Sequence, residues 1–173
     1  MGTPVKWLAL GYNLPINPSK NRVYVWRKLK DIGAAYLSHG MALLPKASKK
    51  TTELAVLARR IREMGGEATL VEMNFVDRND ELEMIAKFRE QSAREYRDIL
   101  EHCSRLWTGQ EDLPRVSEDF KKVVRQYSKA KSRDHFGSGA AGELEKNIDQ
   151  LFDRLMTTEL GSQLKKFMDK SGL

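Results

Sequence analysis

The side chains with most chemical potential in this sequence are cations, and they come early. Lys20, Arg22, Arg27, Lys28 and Lys30 fall in one short stretch. Lys46, Lys49 and Lys50 follow in a basic loop, and Arg59, Arg60 and Arg62 crowd a third segment. A phosphate backbone needs cations spread along one surface, because each neutralised phosphate releases counterions. Arginine adds a planar fork that fits phosphate or guanine. The same charges also suit an ordinary solvated helix face. Their segregation suits both readings: residues 1–66 hold 12 Lys/Arg against 3 Asp/Glu, while the whole chain carries only +6. A positive first part joined to a mildly acidic second part points to a surface for polyanions. Residues 115–133 form a second basic cluster, with seven Lys/Arg against Glu118 and Asp119. Solvated helix surface is the favoured reading there.

Arg22 stands apart, because it projects from the first turn of a basic helix on its apolar side, beside Tyr12 and Asn13. With Ser19 it is the candidate anion-binding pair, at a helix start where backbone N–H groups point outward. A structural bond to a carbonyl or acid suits Arg22 equally well.

Other chemistry finds little support. His102 and Cys103 are adjacent, so on a helix they point about 100° apart, and no second ligand pair is visible. His39 and His135 lack an acid–nucleophile companion. There is no phosphate-binding glycine loop, nucleophile elbow, CxxC or HExxH motif. The expectation is a protein without catalytic residues, metal or cofactor.

A chain of 173 residues, 40% hydrophobic and 31% charged, suits a folded globular protein. No apolar run approaches the roughly 18 residues of a membrane span. The start, Met1 to Trp7, lacks the pattern of a secretory signal and makes a poor myristoylation site. The single Cys103 excludes an internal disulfide, so a cytoplasmic location is expected.

The elements that must position the cations begin with a strand over Lys6–Tyr12, apolar on both faces as in a central strand. A turn containing Pro15 and Pro18 follows, with Ser19 as N-cap of a helix running to Ile32. At about 100° per residue Val25, Trp26, Leu29 and Ile32 share its apolar stripe, opposite Lys20, Arg27, Lys28 and Lys30. Gly33 ends the helix. Residues 34–45 form one bent strand or a tight hairpin hinged at His39-Gly40. Thr51 or Thr52 caps a helix to about Met64, and Glu67–Phe75 is a further strand. This β-α-β-β-α-β order predicts an α+β fold, a ferredoxin-like sandwich over residues 1–76.

Residues 77–173 predict a helical annex. A long helix from Asp80 to about Trp107 carries Ile85, Phe88, Ser92, Tyr96, Ile99, Cys103 and Leu106 at helical spacing. Gly109 and Pro114 break it, and helices follow over about 117–131 and 141–156, with a last one using Leu160, Leu164, Phe167 and Met168. Short connections predict an antiparallel arrangement. Trp7, Trp26 and Trp107 are all expected in cores.

Lys6-Trp7-Leu8, Leu14-Pro15, Pro18-Ser19, Arg22-Val23, Trp26-Arg27-Lys28-Leu29, Gly33-Ala34 and Leu43-Leu44-Pro45, with Gly65 to Ala68 and the Arg133–Gly137 loop, resemble the N-terminal domain of the chromate-resistance regulatory protein ChrB. The order and spacing of these pieces, rather than any one, carry the likeness over nearly the whole chain. The resemblance implies a DNA-binding transcriptional regulator of a chromate-efflux operon, with chromate as its candidate effector; a homodimer is expected on double-stranded DNA, where it would supply paired half-sites. Family members that regulate chromate genes usually carry a second, C-terminal domain; this chain stops at Leu173, so the likeness carries DNA binding further than chromate sensing. A more distant likeness is to the Cas2-type nuclease sandwich and the related domain of the phenylacetate repressor PaaX. The strand-end aspartate that holds metal in Cas2 nucleases is matched here by Asn13, a poor Mg²⁺ ligand, which argues against cleavage. A protein-interaction or sensor module without DNA affinity is the other alternative.

Overall fold

A computed structural model describes residues 3–106 and 112–171. The chain divides into two compact units, Met1–Arg89 and Glu90–Leu173. The first is a mixed α+β body. Its order is β1 (Trp7–Asn13), α1 (Ser19–Asp31), β2 (Ala35–Ser38), β3 (Met41–Pro45), α2 (Thr51–Glu63) and β4 (Glu67–Met73), followed by the start of α3 (Arg78–Arg105). The four strands form one antiparallel sheet in the order β2-β3-β1-β4. β1 is therefore paired on both sides, which is why its first four residues can all be apolar and buried.

Strand alternation divides the apolar residues between two faces. Leu8, Leu10, Ala42, Leu44 and Ala68 point to one side and pack with Val25, Leu29 and Ile32, and with Leu54, Leu57, Ala58 and Ile61 of α2. Both crossover helices thus lie on this face. Trp7, Ala9 and Leu43 point to the other side and are fully buried. There the Trp7 indole meets Phe75 edge-on and Phe88 of α3. Its N–H donates to the buried Glu81 carboxylate at 3.0 Å. The first unit therefore continues beyond Val76, because the opening turns of α3 supply Glu81, Met84, Ile85 and Phe88 as buried residues.

Of the two forms expected for residues 34–45 the structure takes the hairpin, and Gly40 makes the turn with φ of 75°. A Cβ there would sit 2.8 Å from the Tyr12 carbonyl oxygen, so glycine is required twice over. Ser19 and Thr51 are first helical residues and not N-caps; Pro18 and Lys50 hold the cap positions, without side-chain capping bonds. The Thr51 hydroxyl instead donates back to the carbonyls of Ser48 and Lys46, bracing the loop. Trp26, expected in the core, is 51% exposed. Val25, Leu29 and Ile32 already fill the stripe facing the sheet, and Trp26 lies a quarter-turn off it.

The second unit is helical, with the rest of α3, α4 (Leu113–Arg133), α5 (Ala141–Met156) and α6 (Gly161–Ser171). Pro114 lies in the first turn of α4 and starts that helix rather than breaking the one before. Tyr96, Ile99 and Cys103 pack with Phe120, Val123, Val124 and Tyr127, and with Leu144, Ile148, Leu151, Leu155, Leu164 and Met168. Trp107 and Gly109 lie outside the described residues. Cys103 is fully buried, and burial pushes its thiol up to about 11. A thiolate is the reactive form, so a disulfide reagent at pH 8 should label the native chain at least about a hundredfold more slowly than the urea-unfolded chain. Comparable rates would show that Cys103 is not enclosed.

Candidate nucleic-acid interface

The outward surface of α1 is the most cationic feature of the first unit. Its buried residues are Val25 and Leu29, and the C-cap Ile32 extends the same stripe. Lys20, Arg27 and Lys30 project from the opposite side, and all three are exposed. Arg22 and Lys28 flank them and are exposed as well. Among the described residues none of these five cations pairs with a carboxylate. Asp31 is the single acid of the helix. Two of the ammonium groups rest over aromatic rings instead: Lys28 lies 5.9 Å from the Tyr24 centroid, and Lys30 lies 5.5 Å from that of Trp26. A cation over a ring keeps its full charge, so both remain available to an anion.

The other expected cations are in a different condition. Lys46 is paired with Glu72 at 2.5 Å and holds that carboxyl below its ordinary range, chiefly through their hydrogen bond. Lys50 is paired with Glu53 and Arg60 with Glu63, each at helical i,i+3 spacing. Arg62 donates from Nε and Nη2 to the Ala68 carbonyl, which ties the end of α2 to β4. Lys49 and Arg59 are exposed, with no carboxylate partner among the described residues. Of the expected set, the cations without a carboxylate partner among the described residues are concentrated on α1, with Lys49, Arg59 and Arg62 outside it.

Pairing is also the rule in the second cluster. Lys121 and Lys122 contact Glu118 and Asp119 at 2.6 Å and hold both carboxyls below their ordinary values. Lys131 reaches Glu145 at 3.3 Å, and Arg133 reaches Glu95 at 3.0 Å. Arg125 lies over Phe167. A polyanion would have to displace carboxylates to use most of this face, whereas α1 offers cations without that competition.

Ser19 and Arg22 are brought together, though Arg22 stands in solvent and not against the apolar stripe. With Val23 and Trp26 they line an open hollow of about 290 Å³ beside the start of α1. A groove of about 280 Å³ separates α1 from α2, lined by Tyr24, Lys28, Ile32, Val56, Leu57 and Arg60. Val23, Tyr24 and Trp26 are 40–51% exposed and give this surface an apolar share, although Trp26 is of a type expected in the core. The available signal was the angle: Val23 and Tyr24 fall well outside the stripe centred on Val25 and Leu29.

Asn13 ends β1, opposite Glu67. Among the described residues no group of three or more His, Cys, Asp or Glu side chains is placed to hold a metal ion. No described helix is long and apolar enough to cross a membrane.

No curated protein and no solved structure matches the chain. The family model for protein ChrB, N-terminal, matches residues 22–115. The matched span includes most of α1, the hairpin, α2, β4 and α3, whereas the Lys6–Ser19 segment and the Arg133–Gly137 loop fall outside it. That span is more than half of the sequence, and the chain belongs to the ChrB N-terminal family.

Proposed function

We propose that this chain is a DNA-binding regulator of chromate resistance, which meets the phosphates of duplex DNA with the outward side of α1. Membership of the ChrB N-terminal family suggests the regulatory role. The observation that carries the DNA-binding part is the group of five cations on one thirteen-residue helix, none with a carboxylate partner among the described residues. A helix of that length spans about 20 Å, enough to follow several phosphates along a groove. We read the first unit as a ferredoxin-like sandwich of two split β-α-β halves, which would present α1 and α2 together on one face. A homodimer would supply two such faces for paired half-sites. Ser19 and Arg22 are our candidates to receive an oxyanion effector such as chromate. The reading places the protein in the cytoplasm, with DNA.

The test is duplex binding across a salt series, followed by fluorescence anisotropy. If four or five phosphates are neutralised, the slope of log K against log salt is about −4. A slope near zero, or no binding at low salt, overturns the proposal.

A further inference from the structure

Arg22, Trp26 and Lys30 recur every four residues and so form a ladder along one flank of α1. Steps of four residues rise about 6 Å, which sets the two cations roughly 12 Å apart on either side of one indole. Lys30 lies over the indole at 5.5 Å from its centroid, and the ring is 51% exposed. Below it the hollow formed with Ser19, Arg22 and Val23 is open to solvent. The core does not need this tryptophan, because Val25, Leu29 and Ile32 already cover the sheet. An exposed flat ring between two cations with no carboxylate partner among the described residues matches one ligand chemistry well. The cations suit successive phosphates of a strand, and the ring suits a base that is free of its own stack.

We propose that Trp26 is a base-stacking residue and that this flank of α1 binds unpaired nucleotides of single-stranded or locally opened DNA, with Arg22 and Lys30 holding the flanking phosphates. The inference rests on the nucleic-acid reading above and goes beyond it in naming the form of the ligand. Stacking distinguishes it from plain phosphate binding, since a paired base has both faces occupied and gains nothing from the indole.

The experiment compares the full chain with Trp26→Ala, Trp26→Phe and Arg27→Gln. The probes are a labelled oligothymidylate and a blunt duplex of equal length, at one salt concentration. Trp26→Ala should weaken the single strand by about tenfold or more and leave the duplex within about twofold. Trp26→Phe, which keeps a ring, should recover most of that loss. Arg27→Gln should weaken both probes together. Because Trp26 is half exposed, the helix should survive its removal, which circular dichroism checks. Equal loss on both probes with Trp26→Ala, or no loss on the strand, overturns the inference. Duplex binding with no strand binding overturns it alone and leaves the proposed function standing. Failure of both probes to bind at low salt overturns the two together. If Trp26→Ala leaves strand binding intact but dissociates a dimer in sedimentation, the surface is a protein contact and the stacking role is lost.

Discussion

Replacing Lys20, Arg27 and Lys30 together by glutamine should reduce duplex affinity by roughly 500-fold at 0.1 M salt, with the log–log salt slope shallower by about 2.7. The figure follows from three phosphate contacts, each releasing about 0.9 counterion. These three side chains lie opposite the buried stripe of α1 and are exposed, so the fold should tolerate the change. The informative control is the triple variant Lys121→Gln, Lys122→Gln, Lys131→Gln, which changes net charge by the same amount. Those lysines are already engaged by Glu118, Asp119 and Glu145. A contact that must first break an ion pair releases fewer counterions net, so this variant should leave the slope nearly unchanged. Equal losses from both variants would mean that total charge, and not α1, attracts DNA, and the interface would be misplaced.

The contrast between the two basic clusters was partly legible in the sequence. Lys50/Glu53, Arg60/Glu63, Lys121/Glu118 and Lys122/Asp119 all stand at i,i+3, a spacing at which side chains on a helix meet. In the second and third segments that spacing gives Lys50 and Arg60 an acid one turn away, and leaves Lys49 and Arg59 without one. α1 has only Asp31, so its excess charge could be read directly. Lys46 was not legible in this way, since Glu72 reaches it from β4 and only the folded sheet brings them together.

The sheet was readable because its signals were local. β1 is apolar on both faces, and the structure pairs it on both sides. Glycines punctuate the elements at Gly33, Gly40 and Gly65, each with positive φ. The spacing of Ile85 through Cys103 foretold the buried face of α3, including Ser92. What spacing did not reveal is that this one helix serves two cores. Glu81 and Phe88 work in the first unit, whereas Tyr96, Ile99 and Cys103 work in the second. A continuous amphipathic pattern says which side is covered, not what covers it. Trp26 shows the same limit: its apolar character placed it inside, although a quarter-turn decides its exposure.

Glu81→Ala should destabilise the first unit by about 3 kcal/mol, because it removes the common acceptor of three donors. The Val5 N–H donates to its Oε1 at 2.9 Å, the Trp7 indole N–H donates to the same oxygen at 3.0 Å, and Arg78 engages Oε2. The residue is 2% exposed, so the alanine variant would remove the acceptor of the indole N–H at a site closed to water. Burial by itself would raise the carboxyl's pKa, but the donors from Trp7, Val5 and Arg78 together outweigh it and the net shift is downward. A carboxyl whose folded pKa lies below its unfolded value stabilises the fold above the unfolded value and loses that contribution as pH falls through the folded one. The stability gap between the native chain and Glu81→Gln should therefore be full at pH 7 and close progressively below about 4.5. Urea unfolding followed by near-ultraviolet circular dichroism measures it at both ends of that range. Other carboxylates held by surface pairs titrate alike in both chains and cancel in the difference. A gap that stayed constant with pH would mean that Glu81 acts through its shape and hydrogen bonds alone. Trp7→Phe in the same background separates these contributions. It deletes one donor and keeps an aromatic ring near Phe75 and Phe88, so its penalty should shrink when Glu81 is already glutamine.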